Sequence, residues 1–278
     1  MTTFNDITFI KTSIYNGQIN LNNPNNYINQ MIQVVHQNII NTSPHKTYID
    51  TIIDSKSGCK NLKQSILYLK DKSIKFPSTK LSQKTAYILE GEISLITLNQ
   101  NSNKEFTLQK GSAFLINNDI EIEIKNMSKT YSSILMTQSP QQEYQTLSKA
   151  KINSNKINVI PIVHSKKQPP LPAGRDRYFK LLIDPNFGSK YVTQFLGYIK
   201  KVKAPFHEHT YEEVIYIIKG EGLIHYNNKI EEIKEGSSIY LSPGTIHRLE
   251  NKNSKVELEL LGVFCPAGSP ADKQESDE

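Results

Sequence analysis

Only two cysteines, Cys59 and Cys265, occur in 278 residues. Nothing local brings them together, so no disulfide framework is expected and the chain suits a reducing compartment. Long apolar runs are missing as well: none approaches the ~18 residues that a membrane-spanning helix needs. The opening "MTTFNDITFI" lacks a basic stretch followed by an apolar one, so no signal peptide is expected. The expectation is a cytoplasmic protein with no membrane partner. Basic blocks are also absent. Lys+Arg exceeds Asp+Glu by 33 to 27, yet the lysines stand singly or in pairs such as Lys166-Lys167 and Lys200-Lys201. With no basic stripe and interleaved aromatics, the excess charge reads as a solvated surface, and nucleic acid is not an expected partner.

Short β-prone runs are what the chain has in quantity. Its length and 37% apolar content allow one large domain or two ordinary ones. From about Ser65, "SILYL", "TAYILEG", "ISLITL", "SAFLI", "IEIEI" and "SSILMT" follow one another between Gly, Pro, Asn and Lys. A second set, "VTQFLGYI", "EVIYIIKG", "GLIHY", "SSIYL" and "VELELLGVF", fills the last quarter. Many short strands at regular spacing predict an all-β sandwich or barrel. Between the sets, "QSPQQEYQTLSKAKINSNK" is polar and reads as a linker, and "SKKQPPLPAGRDR" carries three prolines that block regular structure. Upstream, the Asn-rich "NLNNPNNYINQ" precedes Ile28, Ile32, Val35 and Ile39, whose spacing predicts a short amphipathic helix.

The chemistry is concentrated in "FHEHTYEEVIYIIKGEG", Phe206 to Gly222. Side chains alternate along a strand, so His207 and His209 face one way. On a straight strand Glu213 would lie ~20 Å from His207, too far to share a metal with bonds of ~2.1 Å. A turn at Thr210-Tyr211-Glu212 instead returns Glu213 to the histidines at the start of a second strand. Glu213, Ile215 and Ile217 then share the face into a barrel, and Val214, Tyr216 and Ile218 the other. "EGSSIYLSPGTIHRLEN" offers a further ligand. Gly236 permits a turn, "SSIYL" is a strand, Ser242-Pro243-Gly244 turns again, and His247 opens the returning strand. Three imidazoles and one carboxylate form an N3O set that leaves positions open on a metal, as catalysis requires. His36, His45, His164 and His225 have no such company and read as structural.

These spacings resemble those of the cupin superfamily. Its first motif, G-x5-H-x-H-x3,4-E-x6-G, is met by His207, His209, Glu213 and Gly220, with Lys201 in place of the leading glycine. Its second, G-x5-P-x-G-x2-H-x3-N, is met by Gly236, Gly244, His247 and Asn251. Ser242 stands where the family has proline, with Pro243 one place later. These departures touch turns, not ligands. The resemblance covers roughly residues 65–265 and implies small jelly-roll barrels, with His207, His209, Glu213 and His247 as metal ligands. The earlier β region aligns on the later one: "FPSTKLSQKTAYILEGE" lies on "PFHEHTYEEVIYIIKGE", and "GSAFLINNDIEIEIKN" on "GSSIYLSPGTIHRLEN". Turn glycines and the asparagine persist, but the ligand positions become Ser78, Lys80, Lys84 and Ile122, and two lysines and an isoleucine cannot bind a divalent cation.

The fold expected is therefore all-β, two tandem cupin (jelly-roll β-barrel) domains with a short, partly helical N-terminal segment. The division is 1–60 as an N-terminal extension, 61–140 as a degenerate barrel without metal ligands, and 141–190 as a linker with the leading strands of the second barrel. Residues 191–268 form the metal-binding barrel and 269–278 an acidic tail. The N-terminal extension is expected to pack across a barrel edge.

The N3O set suits one divalent transition metal, Mn, Fe, Ni, Co, Cu or Zn. Around it, Gln194 and Tyr198 share a parity on "VTQFLGYI" and are candidate donors to a small-molecule substrate. Tyr211, in the turn between ligands, is a candidate cover for the mouth. Arg175 and Arg177 offer a carboxylate clamp, with surface charge the plainer alternative. Arg248 and Glu212 turn away by parity, Glu212 toward solvent. No catalytic base stands out. The expected function is a metal-dependent enzyme acting on a small, oxygen-rich or anionic substrate, led by a dioxygenase-type oxygenase. The alternatives are a non-redox metalloenzyme (a ureidoglycine aminohydrolase-like hydrolase, lyase or isomerase) and a non-catalytic small-molecule binder. Monomer and homodimer both stay open.

Overall fold

Alternating side chains with two buried faces set the architecture. In strand Gln83–Glu90, Ala86 and Ile88 join one apolar cluster while Tyr87 joins another. In strand Glu212–Lys219, Ile215 and Ile217 share one cluster while Val214 and Tyr216 enter two others. A sheet whose strands are apolar on both sides must be covered on both sides. The computed structural model describes residues 31–37, 44–70, 73–98, 103–141, 160–174, 176–200, 203–253, 255–270 and 274–275. Among these, four antiparallel sheets form two tandem jelly-roll barrels. A six-stranded sheet faces a four-stranded one across Leu67, Ile88, Phe114, Leu95 and Ile124. A seven-stranded sheet faces a five-stranded one across Ile215, Ile217, Leu260, Ile224 and Leu249. The backs of the two larger sheets meet through Ile66, Tyr87 and Leu135 from one barrel and Leu196, Tyr216 and Leu261 from the other.

The sequence repeat is a repeat in space. Asn126 donates to the Lys70 carbonyl (2.6 Å), and Asn251 donates to the Ile199 carbonyl (2.9 Å), each closing the end of its barrel. Gly91 and Gly220 hold φ of 85° and 91° between equivalent hairpin strands, where a side chain would be strained. A reciprocal clasp joins the barrels. The Glu212 carboxylate of the second accepts from the backbone N–H groups of Lys60 (2.5 Å) and Asn61 (2.7 Å) of the first. At the aligned position, the Gln83 side chain of the first accepts from the Lys190 N–H of the second (2.7 Å).

Several expectations need correction. The helix predicted through Ile32 and Val35 is a strand, Ile32–His36, paired with Ser237–Leu241 of the second barrel. Ile32 and Val34 pack on that barrel's core, so a period of two served by an available sheet edge wins over the helical spacing. Ile28 and Ile39 lie outside the described residues. Within the segment 1–60, Tyr48–Ile53 pairs with Lys63–Leu69 at the edge of the first barrel's larger sheet. Strand Ile162–His164, expected among the leading strands of the second barrel, pairs instead with Ser112–Ile116 of the first. Within the acidic tail, Gln274–Glu275 adds a short strand beside His207–Glu208. The two thiols are free, as expected, with Cys59 buried and Cys265 partly so. Burial pushes both thiols up, and the Glu212 carboxylate beside them adds to it.

Candidate metal centre

The stretch "HEHTYEE" is strand, turn, strand. His207–Glu208 belongs to the five-stranded sheet and Glu212–Lys219 to the seven-stranded one, so the chain crosses the barrel between them. The second motif is tied in by register, with His247 directly opposite His207. Its Ser242-Pro243-Gly244 turn is docked by the Gly244 N–H, which donates to the His209 carbonyl (2.8 Å).

His209, Glu213 and His247 converge, with candidate ligand atoms all within 4.8 Å of one another. His207 stands next to them, its ring 4.4 Å from that of His247 and 6.5 Å from that of His209. His209 and His247 are each 2% exposed and Glu213 is 5% exposed. The three imidazoles have the same backbone partner type. Nδ1 lies 3.1 Å from the Pro205 carbonyl at His207, 2.8 Å from the Tyr211 carbonyl at His209, and 2.9 Å from the Thr245 carbonyl at His247. A carbonyl only accepts, so each Nδ1 is the donor, and Nε2 is the ring atom left to serve as a metal ligand. His209 Nε2 sits 3.0 Å from Glu213 Oε2, yet the pair lacks the geometry of a hydrogen bond. A ring nitrogen and a carboxylate oxygen this close, both buried and without a hydrogen bond between them, suit a cation bound by both. The donor set therefore fits a divalent transition metal.

Packing holds the carboxylate and one imidazole in place. A Cβ at Gly262 would lie 2.4 Å from the Phe195 ring and 3.0 Å from Glu213 Oε1, so only glycine leaves room there. Tyr211 stacks on His209 (4.1 Å, 6°) and, on its other side, on Phe264 (4.2 Å). Beside the cluster lies a cavity of about 110 Å³, room for several water-sized groups. His207, Tyr211, Glu213 and His247 line it together with Arg177 and an apolar wall that includes Phe179, Phe195, Ile215 and Leu260.

Gln194 and Tyr198 share a parity, as expected; Tyr198 is among the residues that line the cavity and also packs in the seam between barrels, and Gln194 is not among the lining residues. The interior face of strand Thr193–Ile199 carries Phe195 and Ile199, while Leu196 and Tyr198 pack in the seam between barrels. Tyr198 donates to Glu259 (3.2 Å) and stacks on Tyr178 (4.5 Å, 8°). Burial and the Glu259 charge push its hydroxyl above the usual range. Gln194 is fully buried with no partner for either amide atom. Both faces of this strand meet apolar surface, so parity could not tell the cavity face from the seam. Glu212 is not solvated but 2% exposed, held by the clasp and by the Tyr240 hydroxyl (3.1 Å). Arg177, for which surface charge was the plainer reading, lines the cavity; its signal was alternation with Phe179 on a strand paired to Thr193–Ile199. Arg175 lies outside the described residues. Arg248 turns away from His247 as expected, over the Phe206 ring at 4.2 Å. His225 is structural, 2.7 Å from Glu250.

In the first barrel the aligned positions carry no such chemistry. Ile122 is buried in a filled core, and Ser78 and Lys80 are exposed. Among the described residues, His209, Glu213 and His247 are the one His/Cys/Asp/Glu group arranged to hold a metal. No helix among them is long and apolar enough to cross a membrane.

Residues 198–264 match the cupin domain family. An uncharacterised protein of Methanocaldococcus jannaschii is 38% identical over 73 residues, 26% of this chain and 58% of the relative. One from Aquifex aeolicus is 26% identical over 76 residues, 27% of this chain and 61% of the relative. The chain thus spans about three fifths of the curated relatives it matches. Among solved structures, a mutant of Bacillus subtilis oxalate decarboxylase superposes with a TM-score of 0.65 at 12% identity, covering 84% of this chain and 76% of that one. Lactobacillus farciminis oxalate decarboxylase in its formate complex gives 0.64 at 14%, covering 84% of each. Protein Ylba from E. coli gives 0.62 at 11%, covering 84% and 90%. At these identities the likeness is one of fold.

Proposed function

We propose that the second barrel, whose residues match the cupin domain family, is a metalloenzyme centre and the first a scaffold. His207, His209, Glu213 and His247 hold one divalent transition metal, and a small, oxygen-rich or anionic molecule reacts beside it. The observation that carries this reading is the convergence of buried His209, Glu213 and His247, with the Nδ1 of His207, His209 and His247 each turned to a backbone carbonyl, as in metal-ligating histidines. Manganese is the first metal to test, since Bacillus subtilis oxalate decarboxylase, similar in fold, has Mn(II) centres.

When bound, the metal supplies a Lewis acid with open positions and, for Mn, Fe, Co or Cu, a one-electron couple. The protein supplies the surroundings. Glu213 offsets part of the ion's charge, and the backbone carbonyls fix the ring orientations. Tyr211 braces the His209 ring, and the apolar wall excludes water and strengthens electrostatic contacts inside the cavity. The leading reaction class is a dioxygenase-type oxygenation. Among the described cavity-lining residues, every imidazole and carboxylate belongs to the ligand set, which leaves Tyr178, Tyr198 and Tyr211 as the hydroxyl groups of the lining. A non-redox carbon–carbon lyase is the second reading, favoured by the likeness in fold to oxalate decarboxylases. The test is oxygen uptake by the metal-loaded chain across a panel of small organic acids and enolisable diols. Turnover with stoichiometric uptake supports the oxygenase. Turnover of an acid under strict anaerobiosis supports the lyase, and no turnover of any panel member with Mn, Fe, Co or Cu counts against both.

A further inference from the structure

The cavity has two polar ends. One holds the imidazoles and Glu213, and the other holds Arg177, the only lysine or arginine among its lining residues. Register separates them. Arg177 pairs with Ile199, which pairs with Leu258, whereas Glu213 pairs with Phe264 on the same strand as Leu258. Six residues of strand are about 20 Å. Both residues line the one cavity, and the rest of its lining is mostly apolar, with Phe179, Phe195, Ile199, Ile215 and Leu260 beside Tyr178 and Tyr198. The hairpin before strand Arg177–Ile183 closes on the Arg177 backbone and brings Gly174 beside the guanidinium. The Ala173 N–H donates to the Arg177 carbonyl and the Arg177 N–H to the Gly174 carbonyl, both at 3.0 Å. At Gly174, φ is +79° and a Cβ would lie 3.2 Å from Arg177 Nη2, so a larger residue would crowd the charge.

A guanidinium at an apolar wall is a strong site for one chemical group. Its planar fork matches a carboxylate in two parallel hydrogen bonds, and low polarity nearby strengthens the pair. The wall between the ends rewards a hydrocarbon segment. We propose that Arg177 is a specificity-determining residue: it holds the carboxylate of an elongated organic acid whose opposite, oxygen-bearing end reaches the His/Glu cluster. This rests on the metal-centre reading above and adds the substrate class to it. A molecule of this kind carries several carbons between its two polar ends, which a two-carbon diacid does not.

The experiment uses the full chain loaded with manganese, with metal content measured first. Unbranched α,ω-dicarboxylates of four to eight carbons are titrated by calorimetry, with the diol of the best length as the uncharged control. The expected result is one preferred length, bound at least about tenfold tighter than the diol. R177M is expected to lose at least about tenfold in affinity for that diacid at unchanged metal content, and R177K to recover part of the loss through charge without the fork. Equal affinities in wild type and R177M, or no diacid binding by the loaded wild type, overturn the proposal. Absence of metal in the wild type overturns the metal-centre reading itself and the proposal with it, and the first measurement alone reveals that case.

Discussion

Replacing Glu212 with alanine removes the acceptor on which the two barrels meet. The carboxylate is 2% exposed and takes three hydrogen bonds, from Lys60 N–H, Asn61 N–H and the Tyr240 hydroxyl. Truncation leaves two backbone donors and one hydroxyl facing an emptied polar space. Each bond to a charged acceptor contributes roughly 1.5–3 kcal/mol, and an orphaned buried donor costs about 1–3 kcal/mol. Water entering the space and release of a buried charge recover part of this. A net loss of about 3–5 kcal/mol is expected, a large share of a typical domain's stability. Glu212→Gln keeps one acceptor oxygen but turns an NH2 group toward a donor, so an intermediate loss is expected. Denaturant unfolding followed by far-ultraviolet circular dichroism measures both. Because the clasp sits between barrels, the alanine variant should also split one cooperative transition into two. A loss below about 1 kcal/mol with one transition intact would refute the view of Glu212 as the clasp.

Gln64, like Gln194, is fully buried with no partner for either amide atom, so Gln64→Met and Gln194→Met should each be neutral or stabilising by up to about 1–2 kcal/mol; thermal melting checks this. Gly262→Ala places a methyl group against Phe195 and Glu213 and should cost about 1–3 kcal/mol while weakening metal uptake, read by melting and by metal titration. Burial holds the Glu259 carboxyl above its ordinary range. A raised folded-state pKa means that this group's favourable contribution is present below the unfolded value and is lost as pH rises through the folded one. Glu259→Gln should therefore raise the melting temperature near neutral pH, with the gain shrinking as pH falls toward the ordinary glutamate range.

The convergence of His209, Glu213 and His247 was legible because its determinants are local. The spacing from His207 to Gly220 and from Gly236 to Asn251 encodes turns whose geometry does not depend on the rest of the chain. The lost ligands of the first barrel were legible for the same reason. Gln194, which does not line the cavity, could not be told from the residues that do because its strand is buried on both faces, and alternation names two faces without saying which encloses the cavity. Glu212 was misread because its donors, Lys60 and Asn61, lie about 150 positions away, and only the packing of barrels reveals them. Strand Ile32–His36 was hidden because its partner edge lies in the other half of the chain. Arg177 was discounted because an isolated arginine in a Pro-rich stretch carries no pattern until strand pairing turns it inward.

The central claim is one metal in the second barrel, and elemental analysis of the full chain tests it most directly. The chain would be expressed with each candidate metal in turn and purified without chelator. The account predicts close to one equivalent per chain in the wild type, with loss in H209A and H247A at unchanged secondary structure and retention in K80A. Two equivalents, none under any metal, or retention in both histidine variants would contradict it.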